Sequence, residues 1–210
     1  MKIFDIGTNR GHFTDEYISK YPDSKIICIE ANPELCNKLV NKYKDNPNIE
    51  VYHYLISDKS NIDIDFFIPT LEDWDGVGTA NPKWVTHSRF NNLSWKNPIQ
   101  VESITLDELI ENTFTPDMIK IDIEGYESIA IRGLTKKIEL IQFEWASEAI
   151  SLAEDVCIYL KSIGYNQFAY KFEDQPYSYL PMEFFTLEEI DLFKNFNWTN
   201  DCNWGMIYAK

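Results

Sequence analysis

Two hydrophobic periods take turns along this chain. The run Ile3-Phe4-Asp5-Ile6 reads as a short strand and 25–29 as a second one, closed by Glu30, with a helix-period stretch over 12–20 between them. Pro33 suits the first position of another helix with Asn32 as its cap, and Leu35, Leu39 and Val40 mark its apolar face through Tyr43. A third strand is expected over 49–55, and 62–68 alternates as a half-buried strand does. Over 69–98 the pattern lapses. That stretch holds Gly76, Gly78, Pro82 and three of the six tryptophans, Trp74, Trp84 and Trp95, and reads as a long irregular loop of the substrate or lid kind.

Order returns with a strand over 99–104, a short helix over 105–110 and an apolar strand over 118–123. A helix over 127–132 stopped by Gly133, a strand over 138–143 and an amphipathic helix over 149–163 with Gly164 behind it follow. Strand 167–172, a helix over 187–193 and a last strand over 205–209 complete the chain. Such alternation predicts an α/β fold, an open and mostly parallel sheet covered on both faces, in one domain spanning 1–210. In sheets of this kind a ligand sits beyond the carboxyl ends of the strands.

Composition removes several classes of function. With 44% apolar and 15% aromatic residues the chain has enough apolar mass to fold, and its net charge of −15 leaves no basic stripe for nucleic acid or an anionic membrane. Cys28, Cys36, Cys157 and Cys202 lack metal-ligand spacing and read as the reduced thiols of a cytoplasmic protein; His12, His53 and His87 likewise form no metal framework. No leader-type apolar segment or stretch of membrane length is visible.

The candidate chemistry begins where the first strand meets Gly7-Thr8-Asn9-Arg10-Gly11. Glycines let backbone approach a ligand, and the free N–H groups of a helix's first turn attract an anionic group. A dinucleotide turn needs G-x-G-x-x-G, whereas these glycines are spaced G-x-x-x-G with Asn9 in the middle. Asp5 beside the turn would disfavour two phosphates and suit a ligand with an ammonium group. Glu30, at the end of the second strand, suits both hydroxyls of a ribose. Together these features favour a nucleoside cofactor, S-adenosylmethionine before a dinucleotide, although a plain strand-to-helix turn would account for the glycines alone. Further along, Asp122 and Glu124 fall where a strand enters its turn at Gly125, Glu127 opens the next helix, and Glu144 closes the following strand. These acids converge on the expected ligand edge. Carboxylates would suit a magnesium ion there, yet no spacing demands one and none is assigned.

The motifs DIGTNRGHFT, Glu30-Ala31-Asn32-Pro33, Ser103-Ile-Thr-Leu-Asp107, Lys120-Ile-Asp-Ile-Glu-Gly-Tyr-Glu127 and Phe143-Glu144 occur in the order found in FkbM-type S-adenosylmethionine-dependent methyltransferases, which this chain resembles over roughly 1–145. The resemblance implies a Rossmann-like, seven-stranded class I methyltransferase sheet whose antiparallel last strand is 205–209, and O-methyl transfer to a carbohydrate or small-molecule hydroxyl. It carries Asp5, Gly7, Asn9 and Gly11 over as the cofactor turn, Glu30 as the ribose ligand and Asp122 as a residue of the methyl-transfer site. Thr14, Asn32 and Ser57 complete the expected cofactor contacts, and Glu124 and Glu144 join Asp122 around the acceptor, with His87 and His12 as rival bases, His12 reading rather as a helix-start residue. The loop tryptophans would either stack on a sugar or anchor a lid to the core. A nicotinamide-dependent oxidoreductase and a non-catalytic binding module remain the alternatives, and the oligomeric state is open.

Overall fold

A computed structural model describes residues 1–172, 181, 183–189 and 204–210. The elements are β1 (Lys2–Ile6), α1 (His12–Lys20), β2 (Lys25–Ile29), α2 (Pro33–Tyr43), β3 (Ile49–Tyr52), β4 (Leu55–Ile56), β5 (Asp63–Phe66), α3 (Pro82–His87), β6 (Ile99–Ile104), α4 (Leu106–Asn112), β7 (Met118–Ile121), α5 (Glu127–Ala130), β8 (Leu140–Ala146), α6 (Ile150–Ser162), β9 (Phe168–Phe172) and β10 (Trp204–Ala209). Short 3-10 helices cover Glu72–Val77, Ile131–Gly133 and Ser147–Ala149.

Seven strands form one sheet in the order β3-β2-β1-β7-β8-β10-β9. All neighbours pair parallel except β10, which runs antiparallel to both β8 and β9, as the resemblance implied. The chain lays β1, β2 and β3 outward in one direction, then returns to place β7 on the other side of β1. This reversal is the topological switch point at which open α/β sheets bind ligands.

The central strands are buried on both faces, which is why they read as unbroken apolar runs. On one face Phe4, Ile27, Ile119, Ile121 and Phe143 pack with Leu109 of α4, Ala130 of α5 and Val156 and Leu160 of α6. On the other, Ile3, Ile26, Cys28 and Met118 meet Phe13 and Tyr17 of α1 and Leu39 and Tyr43 of α2. The caps agree with the sequence: Asn32 Oδ1 accepts the Glu34 N–H at 3.0 Å, and Pro33 opens α2. Behind α6, Gly164 has φ +106°, and the Tyr165 N–H returns to the Leu160 carbonyl at 3.0 Å.

Several expectations are corrected. The strand expected over 49–55 divides, because β3 pairs with β2 whereas β4 pairs with β6. The strands at 63–66 and 99–104 are not part of the main sheet; with β4 they form a smaller three-stranded sheet in the order β4-β6-β5. The strand expected over 118–123 stops at Ile121, and the helix over 127–132 is a single α-turn running into 3-10 geometry. Glu144 does not close its strand: β8 continues to Ala146 because β10 pairs with it that far, Met206 opposite Glu144. The 69–98 stretch contains α3 and a 3-10 helix rather than irregular chain throughout. Of the helix expected over 187–193, residues 187–189 form a turn and 190–193 lie outside the described residues. No helix among the described residues is long and apolar enough to cross a membrane.

Candidate active site

The turn after β1 is built from left-handed backbone. Gly7, Asn9 and Gly11 have φ of +71°, +53° and +82°. A Cβ on Gly7 would lie 1.8 Å from the Asp122 carbonyl oxygen, since the ends of β1 and β7 are clamped by the Asp122 N–H donating to Ile6 O at 3.1 Å. Gly11 is the N-cap of α1 and has no side chain to bond the helix's first-turn amides, which are therefore left for another acceptor.

Beneath the turn lies a buried ion pair. Asp5 is fully buried, accepts the Thr14 hydroxyl at 2.8 Å and stands 3.2 Å from Lys120 Nζ. Lys120 also donates to the Gly7 carbonyl at 2.7 Å and lies 3.6 Å from Asp122 Oδ2. The ammonium expected to face Asp5 is thus the protein's own. Strand register explains it, because Asp5 and Lys120 are direct partners across β1 and β7.

Glu30 caps the turn from the side. Its Oε2 accepts the Asn9 N–H and its Oε1 the Asn32 N–H, both at 2.8 Å. Burial raises its pKa, and the two amide bonds oppose that shift. A third wall comes from the segment after β5. Arg10 donates to Asp75 Oδ1 at 2.6 Å and to the Glu72 carbonyl at 3.2 Å, and Asn32 Nδ2 donates to the Asp75 carbonyl at 3.2 Å. These walls bound an open cleft whose lining includes Gly7, Asn9, Glu30, Gly76, Lys120 and Asp122.

Four acids gather between the cleft, which Asp122 and Glu124 line, and a small neighbouring pocket, which Glu127 and Glu144 line. Oxygens of Asp122, Glu124 and Glu144 all lie within 4.8 Å of one another. Glu124 has φ +56°, an uncommon conformation for a side chain of its size, and is braced there by Thr79 Oγ1 donating to its carbonyl at 2.7 Å and by Trp84 Nε1 donating to Oε2 at 3.3 Å. Glu127 Oε1 accepts the Ile123 N–H at 2.9 Å. Burial, followed by the charge of Asp122, pushes Glu124 up to about 8; burial pushes Glu127 up to about 7. Burial and then Glu124 hold Glu144 well above the carboxylate range. Arg89 faces this cluster: burial opposes its charge, but Glu144 and Glu148 raise its pKa nonetheless, and its Nε is spent on Glu148 at 2.8 Å.

Of the residues singled out from sequence, Gly7, Asn9, Glu30, Asp122 and Glu124 line the cleft. Asp5 and Thr14 support it from below, Gly11 supplies the open helix end, and Asn32 braces Glu30 and α2. Ser57 lies apart from the cleft wall, buried beside the Tyr126 hydroxyl at 3.3 Å. Glu144 borders a small neighbouring pocket with Trp84 and Trp145. His87 is exposed on α3 and lies away from the wall, whereas His12 lines it. Trp84 is buried as a core anchor, while Trp74 is 45% exposed and edge-on to Phe90. The sequence reading missed Lys120 and the Arg10–Asp75 strap. Lys120 had a signal, since a lone lysine in an apolar strand needs a buried partner; Asp75 had none.

The fold and cleft define a class I S-adenosylmethionine-dependent methyltransferase architecture. Two solved structures share it: precorrin-6y C5,15-methyltransferase from Geobacter metallireducens, with TM-score 0.51 and 13% identity over 100% of this chain and 79% of that one, and Aeropyrum pernix fibrillarin in complex with natively bound S-adenosyl-L-methionine, with TM-score 0.50 and 12% identity over 100% and 66%. At such identity the likeness is one of fold alone. The methyltransferase FkbM domain profile matches residues 5–167, and the chain belongs to that family; S-adenosylmethionine is accordingly its cofactor. Hexuronic acid methyltransferase AglP of Haloferax volcanii is 22% identical over 144 residues, 67% of this chain and 53% of that protein, so the chain spans about half the length of this curated relative.

Proposed function

We propose that the chain transfers a methyl group from S-adenosylmethionine to a hydroxyl of a carbohydrate or other small molecule, with Asp122 orienting that hydroxyl and taking its proton. The observation that carries this reading is the position of Asp122. It is half-buried just beyond β7 at the switch point, on the same cleft wall as Gly7 and Glu30 and 3.6 Å from Lys120 Nζ.

The residues present fit the cofactor. The uncapped end of α1 suits an amino-acid carboxylate. Each Glu30 oxygen has one amide bond and a further lone pair for a sugar hydroxyl. Carboxylates in the walls complement a cation. When bound, the cofactor supplies an electrophilic methyl that an acceptor oxygen must approach in line. Asp122 would hold that oxygen and receive its proton, a contribution on the order of a hundredfold or more beyond positioning. Glu124 and Glu144 would line the acceptor side.

A saccharide acceptor is supported by the relation to a hexuronic acid methyltransferase. Family membership favours methyl transfer over the nicotinamide and non-catalytic readings. The test is Asp122→Asn: S-adenosylhomocysteine affinity by calorimetry should stay within a few-fold while label transfer to saccharides disappears. Unchanged turnover refutes the assignment. Alkali stability of the product separates a methyl ether from an ester.

A further inference from the structure

We propose that Asp122, Glu124 and Glu144 hold a hard divalent cation of the magnesium and manganese class where the cleft meets the small pocket beside it, so that the ion would also meet the acceptor's hydroxyls. The proposal rests on the reading of Asp122 as part of the methyl-transfer site, but its binding step is testable without an acceptor.

The geometry begins with the sheet. Lys120 and Gln142 are partners across β7 and β8, so two residues further on Asp122, just past the end of β7, comes beside Glu144 within β8. The left-handed bend at Glu124 and Gly125 turns a third carboxylate back toward them. One oxygen from each then lies within 4.8 Å of the others. Oxygens on opposite sides of a calcium ion are about 4.6–5.2 Å apart and those around magnesium about 4.0–4.2 Å, so small side-chain adjustments bring all three into a single coordination sphere. Three carboxylates with no thiol or imidazole select a hard cation.

Glu144 supplies the second, separate observation. It sits inside β8, only 9% exposed, opposite Met206, and its carboxylate, directed at Asp122 and Glu124, forms no hydrogen bond among the described residues. A carboxylate on so nearly buried a side chain, with no bonded protein partner, is poorly compensated as an ion. Nearby protein cations do not bond it: among the described residues Arg89 Nε is held by Glu148 while its Nη2 is buried without a hydrogen-bond partner and forms no ion pair with Glu144, and Lys120 is spent on Asp5 and Gly7. A bound cation would supply the missing partner.

The experiment is titration of the full chain with Mn²⁺, followed by electron paramagnetic resonance, with and without S-adenosylhomocysteine, and then competition with Mg²⁺. Saturable binding of one Mn²⁺ per chain, displaced by Mg²⁺ and weakened at least about tenfold in Glu144→Gln, is expected. Glu124→Gln serves as the second variant, and thermal unfolding verifies that both fold. Absence of saturable binding up to about 5 mM Mn²⁺, or wild-type affinity in both variants, overturns the proposal. Because S-adenosylhomocysteine binding is measured in the same samples, a lost metal with retained cofactor affinity sinks only the cation. Lost cofactor affinity in the wild type sinks the methyl-transfer reading instead.

Discussion

Replacing Lys120 by methionine keeps much of the side chain's bulk and removes its charge, which isolates the electrostatic part of its role. In the folded protein the ammonium lies 3.2 Å from Asp5, which has no solvent exposure, and donates to the Gly7 carbonyl at 2.7 Å. Without it, Asp5 retains one neutral partner, the Thr14 hydroxyl at 2.8 Å. Breaking a buried pair from one side costs about 3–5 kcal/mol, most of it the uncompensated charge left behind. For a domain of this length each kcal/mol lowers the melting midpoint by about 2–4 °C, so Lys120→Met should melt about 6–20 °C lower. Chemical denaturation monitored by circular dichroism gives the free energy. Adding Asp5→Asn to Lys120→Met should recover part of the loss, with a coupling of at least about 1 kcal/mol in the double-mutant cycle. A single-variant loss below about 1 kcal/mol, or strict additivity, would refute the view that this pair is what stiffens the turn after β1.

Gly7→Ala places a Cβ 1.8 Å from a carbonyl in backbone of φ +71°, so β1 and β7 must part; calorimetry should find S-adenosylhomocysteine binding abolished and stability lowered by more than about 1 kcal/mol. Glu30→Gln turns one acceptor into a donor facing an amide, Asn9 or Asn32, and should cost about 1–3 kcal/mol of stability and at least tenfold in cofactor affinity, measured by unfolding and titration. Cys28, fully buried and pushed up to about 12 by burial and then by Asp5, should remain unmodified by a disulfide reagent at pH 8 until denaturant is added, as peptide mapping would report.

What the sequence by itself determined is whatever depends on neighbours along the chain. The first fourteen residues announce a strand, a left-handed glycine turn and a helix start, because φ > 0 and an uncapped first turn are local properties. Asn32-Pro33 starts α2 and Gly164 ends α6 for the same reason. The alternation of apolar runs and helical stretches was enough for a mostly parallel sheet with its edge of acids.

Pairing across distance was decided only by the tertiary structure. Strand 99–104 reads like any other, yet its partners are the two short strands at 55–56 and 63–66, and it left the main sheet. Glu144 reads as a strand end, but β10, some sixty residues later, extends β8 past it and buries it. Asp5 reads as a ligand for a cofactor's amine until register sets Lys120 beside it. For Asp5 and Glu144 the electrostatic surroundings are set by a strand about sixty residues away or more, and for strand 99–104 the partners lie about thirty to fifty residues back; no local pattern encodes such distances. Burial then amplifies the difference, because a charge taken out of water must be answered by whatever the fold brings next to it.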